Sequence, residues 1–201
     1  MKRGVRCVRN EAQVEELLQD EVRDCHEIAR RALALFGVVG IALGAPRNHI
    51  IDWLKEEALW DELSPTELAY VLAQEHTEKE TTNASWRSEA LIVLLWALRK
   101  VERLPAPNEQ CDTSIFQELL PPFAHTSAAQ FVASAECRSE KALQDMANEL
   151  MRLHWQARDA QIHSKPPPLH IDIEVSQERH HAINWVIGYD GLPWDEVTTD
   201  T

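Results

Sequence analysis

The chain has 201 residues, enough for one domain with its own core and short for two. Lys and Arg number 20 against 33 Asp and Glu, and the resulting net charge of −13 repels phosphate backbones, so nucleic-acid binding is not expected. With 44% apolar residues, 26% charged residues and only six Gly, the composition excludes a disordered, fibrous or glycine-turned β protein.

Apolar residues recur with helical spacing nearly throughout. Residues 1–10 read as a basic arm carrying Lys2, Arg3, Arg6 and Arg9. No apolar run follows them, so a signal peptide is not supported. A first helix is predicted from Asn10 or Glu11. A second runs from about Asp20 to Leu43, with Ile28, Ala32, Leu35, Val39 and Ala42 three or four apart. Gly44 and Pro46 stop it. Gly37, Gly40 and Gly44 lack a preceding strand and the order of a phosphate-binding loop, and read instead as a close helix–helix approach. The uncharged stretches Ala32–Pro46 and Ala90–Leu98 fall short of the roughly 20 apolar residues that span a bilayer.

A short helix over Arg47–Glu57 should turn Ile50, Ile51, Trp53 and Leu54 inward. Ser64, Pro65 and Glu67 form a capping box that opens a helix to about Ala73. Thr77 and Glu80 form a second box, opening a long segment through Ser85 to Val101. Its Ala90–Leu98 part is apolar on all sides and marks the centre of a bundle. After a loop at Leu104–Asn108, Asp112 and Ser127 can cap short helices. Ser139 caps a long one to about Ile162, with Ala142, Met146, Leu150, Leu153 and Ala157 as its inner stripe. Lys165–Pro168 is a stiff linker, Glu174–Ile187 a last helix, and Tyr189–Thr201 an acidic tail. The fold class is all-α, an irregular multi-helix bundle around a central apolar helix at about 85–101, in a single domain spanning 1–201.

Cys7, Cys25, Cys111 and Cys137 are widely spaced and form no CxxC, which predicts reduced thiols in a cytoplasmic protein. Candidate chemistry gathers where tryptophan meets charge: Trp86 near Glu89, Trp155 between His154 and Arg158, and Trp185 after Glu178, Arg179, His180 and His181. If these faces converge, Glu89 and Glu178 meet Arg158 and Arg179, with His154 as a titratable base. That cluster reads either as a buried ion-pair network fixing helix register or as a pocket for an anion or small molecule. Glu178 and His181 make a single ExxH without a second, so no metal site is expected, and no cofactor loop, hydrolase elbow or P-loop is present. Cys111 reads as an inert thiol.

Four motifs also resemble the domain-of-unknown-function family 4272. They are Ser85–Leu91 followed by Leu94–Leu98; Leu153–Trp155 with Arg158–Ala160; Glu178–His180 with Ala182, Asn184 and Trp185; and Trp194–Thr201. The likeness runs from about Ala29 to Thr201, and Met1–Asp24 is not clearly matched. Arg99 stands where that family favours glycine, and His181 where it favours an aromatic. The resemblance implies a soluble bacterial protein and carries over no catalytic residue. A likeness reaching the last residues implies a docked tail, with Trp194 packed on the bundle and Asp195 or Asp200 meeting Arg158 or Arg179. Two functional expectations stand: a non-enzymatic module that binds a protein partner, or a small-molecule enzyme or binder using Glu89, His154, Arg158, Glu178 and Arg179.

Overall fold

The structure, a computed structural model, describes residues 21–166, Pro168 and 170–200. The basic arm and the first predicted helix lie outside the described residues. Eight α-helices and no strand occur among those described. They are α1 (Cys25–Ala42), α2 (Arg47–Glu56), α3 (Pro65–Leu72), α4 (Glu78–Ala97), α5 (Ile115–Leu119), α6 (Ala128–Ala133), α7 (Glu140–Ile162) and α8 (Ile173–Val186). The long helices pack in the order α1, α4, α8, α7, which sets α4 between α1 and α8.

Local chemistry fixes most boundaries. The side chains of Ser64, Thr77 and Ser127 accept from the backbone three residues on, and Glu67, Glu80 and Gln130 reach back to complete capping boxes. Ser139 and Asp172 cap α7 and α8. Gly44 ends α1 at φ +93°, and Gly37 lets α2 close on α1: a Cβ there would sit 3.2 Å from Ile50 and 3.3 Å from Leu54. Buried apolar side chains from Ile28 to Val197 form one contiguous cluster, with Ala90–Leu98 wholly enclosed. Each large one contributes about 1.5–3 kcal/mol.

Two sequence expectations shift. The central helix stops at Ala97, not Val101, because Arg99 adopts φ +59° and the amides of Arg99 and Lys100 turn back onto the carbonyls of Trp96 and Leu95. Along α7 the inner stripe is Leu143, Ala147, Leu150, Leu153 and Ala157, with Ala142 and Met146 half-buried. Burying Leu143 rather than Ala142 removes more apolar surface from water.

Arginines lying over indoles hold the helix ends together. Arg138 sits 4.6 Å from the Trp96 ring centre and donates to the carbonyls of Trp96 in the last turn of α4 and of Val101 and Glu102 beyond it. Arg23 sits 4.4 Å from the Trp185 ring and donates to the carbonyls of Trp185 in the last turn of α8 and of Leu192 beyond it. Both place a cation at the negative end of a helix dipole. Cys25 and Cys137 form a disulfide with their Cα atoms 5.6 Å apart, which corrects the expectation of reduced thiols for this pair. Helix packing brings together two cysteines 112 residues apart, a proximity their spacing does not announce.

Candidate functional site

Glu89 and Arg179 meet at the α4–α8 interface. Glu89 is 0% and Arg179 2% exposed. Nε and Nη2 of Arg179 donate to Oε2 of Glu89 at 2.9 and 2.8 Å. Nη1 reaches the carbonyls of Pro105 and Ala106 at 2.7 and 3.3 Å, and Nη2 that of Glu109 at 2.9 Å. The other Glu89 oxygen accepts the backbone N–H of Cys111 at 2.6 Å. An isolated charge here would be prohibitive, and a hydrogen-bonded pair is tolerable. The pair straps the loop before α5 across the two helices and leaves both groups occupied. Burial, followed by the Glu89 charge, pushes the Cys111 thiol up to about 12, so it stays protonated and unreactive.

The other three expected members separate. Glu178 faces Arg87 on α4, whose Nη1 donates to it at 3.0 Å. Burial raises the Glu178 carboxyl, and Arg87 opposes the rise. His154 pairs across the α7–α8 seam with His180, Nδ1 to Nδ1 at 3.2 Å, and its Nε2 is buried without a partner among the described residues. Burial lowers the basicity of both rings, that of His180 to about 4. Arg158 is exposed and joins neither acid, because four residues beyond His154 it has turned about 40° to the edge of the seam.

A second buried pair escapes sequence reasoning. Arg31 of α1 donates through Nη2 to both oxygens of Glu67 and through Nη1 to the Glu62 carbonyl at 2.6 Å. Its guanidinium lies 4.7 Å from the centre of the Trp194 ring, which also meets Trp185 and His181 edge-on. The one available signal is that Arg31 follows Ile28 by three residues, on the apolar stripe. Trp194 is buried, and Asp195 accepts from the Thr66 backbone and hydroxyl at 2.9 and 2.7 Å. The expected partners Arg158 and Arg179 are not used: one faces water and the other is already enclosed. Asn184 donates to the Thr198 carbonyl at 3.0 Å.

Several concavities lie open among the described residues, one of them a polar hollow at Asn83, Arg87 and Glu178. An apolar groove of about 880 Å³ lies between α1, α2 and the α5 region, lined among others by Phe36, Leu43, Ile50, Trp53, Phe116 and Phe123. Leu43 and Phe123 are 55% and 59% exposed at its rim, and the Trp53 indole N–H has no acceptor among the described residues. A smaller cleft of about 360 Å³ lies between α1, α3 and α4, with Tyr70, His76, Asn83 and Arg87 in its wall. Among the described residues, no group of three or more His, Cys, Asp or Glu comes together as a metal site. Nor is any helix long and apolar enough to cross a membrane.

Fold and site together define an all-α protein whose innermost charges are paired with one another and whose open surfaces lie elsewhere. The chain belongs to the family described as Domain of unknown function (DUF4272), whose model matches residues 1–197. That match takes in the N-terminal stretch which the motifs leave unclaimed, and ends at Val197. No curated protein and no solved structure matches the chain.

Proposed function

We propose that the protein is a non-enzymatic helical module that binds a partner protein by seating a basic amphipathic helix in the groove between α1, α2 and the α5 region. The carrying observation is the contrast between the two candidate regions. Glu89 and Arg179, the core of the expected cluster, have their polar atoms taken by each other and by the loop they strap, which supports a role in fixing helix register. The groove is largely apolar, about 880 Å³ in volume, and rimmed by two large exposed side chains. The Trp53 N–H in its wall is suited to an incoming carbonyl.

Charge selects the occupant. A second copy would bring a whole-chain charge of another −13, whereas a lysine-bearing helix meets an acidic chain with Asp112 in the groove wall.

Fluorescence anisotropy with a labelled model helix, Leu on one face and Lys on the other, tests this reading. Saturable, salt-weakened binding is expected, falling about tenfold or more for Phe123→Asp, as for loss of an aromatic anchor. The same helix with Glu for Lys should not bind. Absence of saturable binding, indifference to Phe123→Asp, equal binding of the acidic helix, or a dimer that Phe123→Asp dissolves would each overturn it.

A further inference from the structure

The smaller cleft, between α1, α3 and α4, mixes apolar walls with polar side chains. Its walls are apolar at Val38, Ala69, Ala73 and Ala84. Its two acids are both engaged within the fold: Glu67 holds Arg31 and the Ser64 amide, and Glu80 holds the Thr77 amide and hydroxyl. The groups without partners among the described residues are donors. The Tyr70 hydroxyl is buried with the Thr81 side chain as a polar neighbour, and it completes no hydrogen bond of good geometry among the described residues. Arg87 commits only Nη1, to Glu178, leaving Nε and Nη2 unbonded. Asn83 stands exposed in the same wall, its amide uncommitted to any other described residue. His76 stacks on the Tyr70 ring, centroids 4.0 Å apart, and its Nε2–H reaches the Tyr70 carbonyl at 2.8 Å, which fixes the tyrosine from outside.

An unsatisfied buried donor beside an underused guanidinium, in a chain of net charge −13, calls for an anion. The planar fork of arginine matches a carboxylate, and the apolar walls match a hydrocarbon body. A phosphate dianion fits less well, since Glu67 and Glu80 lie in the same wall and its one guanidinium, Arg87, already shares its charge with Glu178. We propose that the cleft between α1, α3 and α4 is a binding site for a small monocarboxylate with an apolar body, its carboxylate held by Arg87, Tyr70 and Asn83. The site is separate from the partner groove and stands whether or not that groove binds a helix. Burial raises the Tyr70 phenol above its ordinary value, so its hydroxyl remains a donor at neutral pH.

Titration of the isotope-labelled protein with phenylacetate or hexanoate, followed by amide and arginine side-chain NMR, tests the assignment. Saturable shifts confined to the cleft are expected, with the neutral phenylacetamide about tenfold weaker or more, as for loss of a charge-assisted hydrogen bond. Arg87→Met should abolish binding and Tyr70→Phe should weaken it severalfold. Glu178→Gln should tighten it by releasing Nη1, a direction that a purely structural Arg87 would not give. Tyr70→Phe and Glu178→Gln decide the matter even if Arg87→Met fails to fold. Absence of saturable shifts, equal binding of the amide, inorganic phosphate binding as tightly, or affinity unmoved in these two variants would overturn the proposal.

Discussion

Single side chains carry much of what distinguishes this chain within its fold. Arg99 holds φ +59°, a conformation that disfavours a Cβ, at a position where the family resemblance pointed to glycine. Arg99→Gly should therefore raise stability by about 0.5–1 kcal/mol net of the added freedom of the unfolded chain, read as a higher urea midpoint at unchanged slope. His180 and His181 are both held to about 4, chiefly by burial, against an ordinary value of 6.5. Below pH 6.5 the unfolded chain takes up protons that these folded rings refuse. Their contribution therefore destabilises progressively from pH 6.5 down to about 4, and changes little below that. Glu178, raised by burial, acts in the opposite sense over its own titration. Urea unfolding across that window should show a shallower pH slope for His181→Phe than for the parent chain. His181→Phe also leaves the Trp194 carbonyl without its donor, at a cost of about 1 kcal/mol at neutral pH.

At the scale of elements, Arg179 joins α4, α8 and the loop that precedes α5. Arg179→Met should cost about 3–5 kcal/mol, because it leaves the buried Glu89 side chain without its partner and three loop carbonyls without a donor. Adding Glu89→Gln should recover part of that loss, and a double-mutant cycle measures the coupling. Independent, additive losses would show that the two groups do not act as a pair. Helix boundaries set by capping boxes were readable because the cap, the acid and the turn lie within four residues. Glu89 and Arg179 were partly readable, each standing beside a tryptophan on an inward face. Arg31 with Glu67, and Cys25 with Cys137, were not, since their meeting depends on how α1 is placed against α3 and against the chain entering α7. Arg158 misled because sharing a face with buried His154 does not place it inside the seam.

For the whole molecule, the last residues close the arrangement. Trp194 covers Arg31 and Trp185, and Asp195 reaches the first turn of α3. Ending the chain at Pro193 removes a buried indole and should cost about 3–5 kcal/mol, seen as a clear fall in melting temperature. An unchanged melting temperature would show that these contacts contribute little. The acidic chain keeps its interior charges paired and turns an apolar groove outward, and the functional reading rests on that contrast. Photo-crosslinking in the cell of origin, with benzoylphenylalanine in place of Phe123, tests it most directly. The account predicts a crosslink mapping to a lysine- or arginine-bearing amphipathic segment of another protein, lost when Leu43→Asp is added. A crosslink to a second copy of the same chain, or none at all while the protein stays folded, would contradict it.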